Sequence, residues 1–192
     1  MSGTIHLGGG GATSDEEPLW RAMLQGKRRV LYWPFALPPA RIRDAQAWLT
    51  GAFAGLGAEV DLETWSNLSR RHPDEMAGAD LLFVGGGSAG AILACSDIGV
   101  AVGLDENEVG LTDLNGLALV RDLAVLPHYD DTQVVAARDW SCRQARPLVG
   151  VPERSGLAVR DGDAVVVGHE SVAVFDGGDV TVRRPGERWR TS

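Results

Sequence analysis

The apolar run Ala79-Asp80-Leu81-Leu82-Phe83-Val84 stops at Gly85-Gly86-Gly87, and the chain resumes as Ser88-Ala89-Gly90-Ala91-Ile92-Leu93-Ala94. A buried strand, a tight glycine turn and a helix of small residues, in that order, constrain the chain to an α/β arrangement in which the helix crosses back over its sheet. The spacing Gly86-x-Ser88-x-Gly90 is also that of a nucleophile elbow. Small residues flank the serine there so that a strained strand-to-helix turn can lift its hydroxyl clear of the sheet edge. The helix that follows aims its free N–H groups at whatever is bound, which suits a developing oxyanion. Glycine fills 25 of the 192 positions, so this spacing arises by accident often enough that the serine needs partners before it defines a site. The same residues read equally as a glycine-rich turn leaving a parallel strand.

The rest of the chain supplies the sheet. Thr4-Ile5-His6-Leu7 reads as a short strand running into Gly8-Gly9-Gly10-Gly11, and Arg29 to Trp33 as a second strand stopped by Pro34. Pro38 and Pro39 precede an amphipathic stretch from Ala40 to Leu56, with Ile42, Ala45, Trp48, Leu49, Phe53 and Leu56 near helical spacing and Gly57 closing it. Glu59 to Trp65 alternates as a third strand, and Leu81 to Val84 is the fourth. Strands separated by helices imply right-handed crossovers, a parallel sheet and helices on both faces. Ligands bind beyond the carboxyl ends of such strands, where Gly8–Gly11 and Gly85–Ser88 both belong.

After Gly110 an apolar stretch from Leu117 to Leu126 ends in Pro127-His128-Tyr129, Thr132 to Arg146 reads as helix, and Pro147 to Val151 as another buried strand. From Gly156 onward the pattern is of short strands, with Asp161-Gly162-Asp163 and Asp176-Gly177-Gly178 as hairpin turns. We expect one domain over residues 1–192, with residues 156–184 as an antiparallel tail within it.

Composition narrows the function. A net charge of −8 argues against nucleic acid or an anionic membrane as partner. Cys95 and Cys142 form no CxxC pair and are expected as free thiols. There is no charged-then-apolar leader pattern and no apolar run of spanning length, so a cytoplasmic location is expected. The cluster Asp105-Glu106-Asn107-Glu108 lacks the glycine and distal glutamate of a calcium loop, and neither metal nor cofactor is expected. Gly8–Gly11 lacks the lysine or the spaced fingerprint of a phosphate cradle, which disfavours a nucleotide-binding reading.

A nucleophilic serine needs a base, and the base an orienting acid. Of four histidines, His6 lies in a strand, His72 in a polar loop and His169 among the C-terminal hairpins; His128 sits at the carboxyl end of a buried strand, the edge where Ser88 should emerge. Glu153 also follows a buried strand.

At this point the chain resembles the peptidase E family of serine peptidases, nearly end to end. The likeness runs through Gly8-Gly9-Gly10, Tyr32-Trp33-Pro34-Phe35-Ala36, Phe83-Val84-Gly85-Gly86-Gly87, Ser88-Ala89-Gly90-Ala91-Ile92, Asp105 to Leu111, Leu126-Pro127-His128-Tyr129, Val151 to Gly156 and Val166-Val167-Gly168. The resemblance implies a class I glutamine amidotransferase-like, three-layer αβα sandwich with a mostly parallel sheet, to which the C-terminal hairpins are added. It implies Ser88 as nucleophile, His128 as general base and Glu153 as orienting acid, with Asp105 as the alternative acid. It also implies an oxyanion hole from the backbone of Gly86, Gly87 and Ala89, a small peptide as substrate and no cofactor; a homodimer stays open.

The chain departs from the family pattern in two places. The strand end at Gly85–Gly87 and the elbow at Ser88 are fused, where relatives separate them by about thirty residues, the size of a βαβ unit. The sheet must close that gap or carry an additional edge. Family members that cleave Asp-X dipeptides hold the aspartate with an arginine shortly after the histidine, whereas this chain has Asp130-Asp131-Thr132-Gln133, with Gln133 nearest the expected position. Asp130 and Gln133 are therefore the expected substrate contacts, and Asp-X specificity is not carried over. The alternative to a peptidase is a catalytically impaired homologue that binds a small molecule or peptide.

Overall fold

The computed structural model describes residues 3–35, 37–69, 71–85, 87–102 and 110–191. In chain order the first half holds β1 (Ile5–Gly8), α1 (Glu17–Leu24), β2 (Arg29–Trp33), α2 (Ile42–Gly55), β3 (Asp61–Thr64), β4 (Leu81–Val84) and α3 (Gly87–Ala94). The second half holds β5 (Ala124–Pro127), α4 (Val134–Gln144), β6 (Leu148–Val151), β7 (Ser155–Arg160), β8 (Asp163–Gly168), β9 (Val172–Asp176), β10 (Asp179–Arg183) and β11 (Arg188–Arg190). The chain divides into two compact units, Met1–Leu19 with Gly87–Ser192, and Trp20–Gly86.

The first unit contains two four-stranded sheets, ordered β1-β7-β8-β11 and β10-β9-β6-β5. Strand alternation sorts its core. Val125 of β5 and Val149 and Val151 of β6 join Leu7, Leu157, Val159 and Val166 from the other sheet, together with Ala91 and Ala94 of α3 and Cys95 just after it. Ala124, Leu126 and Leu148, on the opposite face, pack with Ala137 and Trp140 of α4 and with Phe175. A sheet covered on both faces reads as continuous apolar sequence, and β5 and β6 do. Asp161 and Gly162 both have positive φ (52° and 82°), the type I′ geometry that lets a two-residue turn follow the strand twist between β7 and β8.

The second unit is a parallel sheet, β3-β2-β4. Trp20 packs edge-on against Phe53 and Phe83, each at 5.7 Å between ring centroids. Phe53 and Leu49, one turn apart on α2, are buried, and Gly57 ends that helix at φ 75°.

The expected strands recur within a residue or two, but their pairing differs from a mostly parallel sheet. β2, β3 and β4 are parallel as expected, and β5 pairs parallel with β6. β1 instead pairs antiparallel with β7, in the register Gly8↔Gly156, and β9 joins β6 antiparallel. A four-residue strand does not encode its partner; here the mate of β1 lies about 150 residues away. Two elements escaped the pattern: α1, and β11, which pairs with β8. Leu117 to Leu126 yields a strand only at Ala124–Pro127; before it, Val120 and Asn115 make isolated bridges to Cys95 and Asp97. The fusion of motifs is seen directly, since β4 ends at Val84, α3 begins at Gly87 and β4 is an edge of its sheet.

Cys95 and Cys142 are unbridged. Burial pushes the Cys95 thiol up to about 11, whereas Cys142 is exposed. At neutral pH a disulfide reagent such as DTNB is expected to modify Cys142 alone in the folded protein, and Cys95 only after denaturation; two equivalents reacting at equal rates under native conditions would contradict this. Among the described residues no helix is long and apolar enough to cross a membrane.

Candidate active site

The glycine run after β1 is the floor of the site. Gly9 donates its N–H to Ser155 O at 3.0 Å, and a Cβ on Gly9 would lie 2.6 Å from the Pro152 carbonyl carbon. A Cβ on Gly11 would lie 2.8 Å from that of Asp15 and overlap Glu153 O. Only glycine lets this backbone press against the turn between β6 and β7. Gly10 has φ 95°; a Cβ there would overlap His128 Nε2, lie 2.5 Å from His128 Cε1 and lie 2.9 Å from Ser88 Cβ. One small volume beside Gly10 is thus bordered by both the imidazole and the serine.

His128 follows the last residue of β5 and has φ 51°. A left-handed conformation costs a non-glycine residue about 1–3 kcal/mol, so the surroundings must hold it. Its N–H donates to Gly9 O at 2.8 Å, and the next N–H, of Tyr129, donates to Val151 O at 3.1 Å. Tyr129 is itself anchored, its ring lying against Gly150 where a Cβ would come within 2.5 Å, and edge-on to Phe175 at 5.8 Å. The imidazole Nδ1 sits 2.9 Å from Glu153 Oε1, with the two side chains 48% and 59% exposed. With Nδ1–H donated to the carboxylate, Nε2 is the free acceptor, and it faces the Gly10 side. Glu153 lies in the turn between β6 and β7. That turn is tied down by Ser155, whose hydroxyl donates to Glu170 O at 2.6 Å and accepts from Glu170 N at 2.9 Å.

Ser88 is the second residue of α3, which packs on β1 and β5 through its buried Ala91 and Ala94. The first N–H groups of a helix have no acceptor within it; those of Gly87, Ser88 and Ala89 occupy that position here. Gly86 and Asp105, expected as an oxyanion donor and as the alternative acid, lie outside the described residues.

Asp130 and Gln133 are occupied with each other. Asp130 accepts from Thr132 N at 2.8 Å and from the Thr132 hydroxyl, while Gln133 Oε1 accepts from Asp130 N at 2.9 Å. This reciprocal cap starts the short turn that leads into α4. The Thr132 hydroxyl and N–H hold the Asp130 carboxyl below its ordinary range. Among the described residues no group of three or more His, Cys, Asp or Glu could hold a metal ion.

No family model matches the chain, and no curated protein matches it by sequence. Two solved structures share its fold. A protein from Listeria monocytogenes EGD-e, assigned as a peptidase E, superposes with a TM-score of 0.59 at 20% identity over 86% of this chain and 98% of its own. A peptidase from an acI-B1 Actinobacterium gives 0.65 at 16% identity over 99% and 97%. The chain therefore has a peptidase E-like α/β fold, and the resemblance carried by its motifs is matched by one in three dimensions.

Of the residues singled out in the sequence, the structure brings Ser88, His128 and Glu153 to one end of the first unit. It adds one the pattern did not reveal. Glu16 is only 2% exposed, and its Oε1 accepts the Gly10 N–H at 2.8 Å. Its only sequence signal is an acidic residue shortly after a glycine run.

Proposed function

We propose that the protein is a serine peptidase-like hydrolase of small peptides, with Ser88 as nucleophile, His128 as general base and Glu153 as the acid that orients it. One observation carries this reading: the imidazole that bonds Glu153 through Nδ1 presents its other edge to the space beside Gly10, which Ser88 also borders. The fold shared with the Listeria protein and the actinobacterial peptidase supports it.

In this mechanism Nε2 takes the Ser88 hydroxyl proton as Oγ attacks the substrate carbonyl carbon. The carbonyl oxygen becomes an oxyanion, held by N–H groups of the Gly86–Gly87 segment and Ala89 at the start of α3. The imidazolium then gives its proton to the amide nitrogen as the C–N bond breaks, leaving an acyl ester on Ser88. Water attacks that ester, its proton passing to Nε2 and on to Ser88 Oγ as the acid departs. Glu153 keeps Nδ1 protonated and stabilises the charged ring. Asp130 and Gln133 follow the base in the chain but are engaged in the cap that starts the turn into α4, so their part in substrate choice is the acidity of Asp130-Asp131, which disfavours an acidic N-terminal residue.

The test is to treat the protein with a fluorophosphonate, locate the adduct by mass spectrometry, and assay a dipeptide panel that includes Asp-X. A single adduct on Ser88 with turnover of neutral dipeptides is expected. A protein that takes no label and cleaves nothing, yet binds peptide in calorimetry, would replace this reading with that of a binding protein. The direct passage from β4 to α3 is the observation that favours this second reading.

A further inference from the structure

We propose that Glu16 is a positioning residue for His128, acting through the peptide unit between Gly9 and Gly10; the inference rests on the reading of His128 as the base for Ser88. A carboxyl group is seldom buried without a hydrogen-bond partner, and Glu16 spends a bond on the loop at the centre of the site. The Gly10 N–H that it accepts belongs to the same planar peptide unit as the Gly9 carbonyl, which accepts the His128 N–H at 2.8 Å. Glu16 Oε1, the Gly9–Gly10 peptide and the His128 amide form one line of hydrogen bonds, in which each bond polarises the next.

That line ends on the residue that most needs holding. His128 is in the left-handed region at φ 51°, and its ring direction follows from its backbone. Glu16 also closes the other side of the loop, since a Cβ on Gly8 would lie 3.0 Å from Glu16 Cδ. The glycine loop is thus gripped from beneath by Glu16 and presses upward against the imidazole and Ser88. Without an acceptor at Glu16 the Gly9–Gly10 peptide loses one of the bonds that fix its orientation, and the His128 amide a part of its support. Glu16 is buried and acts on His128 through the Gly9–Gly10 peptide, so its effect belongs in turnover rather than in substrate binding.

The experiment compares wild type with Glu16→Gln, which keeps an oxygen acceptor, and with Glu16→Ala and Glu16→Met, which do not. It reads the rate of Ser88 labelling by a fluorophosphonate, kcat and KM on the best dipeptide, and the NMR signals of the His128 amide and imidazole. Circular dichroism melts establish which variants are folded. The expected result for a folded acceptor-free variant is a loss of about 10- to 100-fold in kcat and labelling rate, a KM within about twofold, and a displaced His128 amide signal. Glu16→Gln should stay within about threefold of wild type, because its side-chain carbonyl can still accept the Gly10 N–H. A folded Glu16→Ala or Glu16→Met with unchanged His128 signals overturns the proposal, and so does a change confined to KM. If both acceptor-free variants fail to fold while Glu16→Gln matches wild type in every reading, Glu16 is a folding residue and the proposal is overturned. If wild type itself neither labels nor hydrolyses, the peptidase reading has failed, and the His128 signals alone decide: displacement supports the relay and constancy overturns it.

Discussion

Ser88→Ala is expected to lower kcat/KM for dipeptide hydrolysis by at least about 10³-fold and to abolish fluorophosphonate labelling. The thermal midpoint should stay at its wild-type value. Both expectations follow from where the side chain is. Ser88 lies in the first turn of α3, on the side bordering Gly10, while the helix is held by Ala91, Ala94 and Cys95 in the core. Removing one hydroxyl deletes the attacking atom and leaves the packing untouched. The residual rate, measured on purified protein free of contaminating peptidases, reports what the oxyanion donors and binding contribute by themselves. Hydrolysis at the wild-type rate in the alanine variant would eliminate Ser88 as nucleophile, whatever the fold resembles.

Gly10→Val should be nearly as damaging, by a different route. At φ 95° valine is strained, and its Cβ would overlap His128 Nε2 while lying 2.9 Å from Ser88 Cβ. Its γ-methyl groups would extend the obstruction into the volume between base and nucleophile. We expect a fall of about 10²-fold or more in kcat/KM, together with a stability loss of about 1–3 kcal/mol from strain and overpacking. Gly177→Ala is the control. Gly177 also has positive φ (58°), but nothing lies within 4 Å of a Cβ built there, so only the conformational cost of about 1 kcal/mol remains and activity should be unchanged. Equal losses of activity in the two variants would mean that backbone strain, and not the obstruction between His128 and Ser88, governs the effect.

The candidate triad is a case where local pattern and topology each contributed half. Ser88 announced itself through glycines at fixed offsets, because the elbow is a local conformation with a local composition. His128 could be chosen from four histidines because the carboxyl end of a buried strand is recognisable in the sequence. Glu153 had no comparable local signal; an acid after a proline looks like any turn residue, and only its 2.9 Å approach to His128 Nδ1 distinguishes it. Glu16 was invisible for the same reason. Nothing in its immediate neighbours says that it is buried, since it packs against Gly8 at the end of β1 and against the glycine loop that follows.

Which segments become strands and helices was legible wherever period, turn chemistry and caps agreed: β2 and β4 within a residue, the Asp161-Gly162 turn, and the end of α2 at Gly57. The sequence by itself also determined that serine and histidine emerge at strand ends, since that follows from where apolar runs stop. The tertiary structure alone decided partners. It paired β1 antiparallel with β7 across some 150 residues, set β9 beside β6, and gave Gly10 a place between imidazole and serine that no glycine count could reveal. The physical reason is range. Turns and periodicity are fixed by interactions among neighbours a few residues apart, whereas register and site geometry depend on which distant surfaces bury each other.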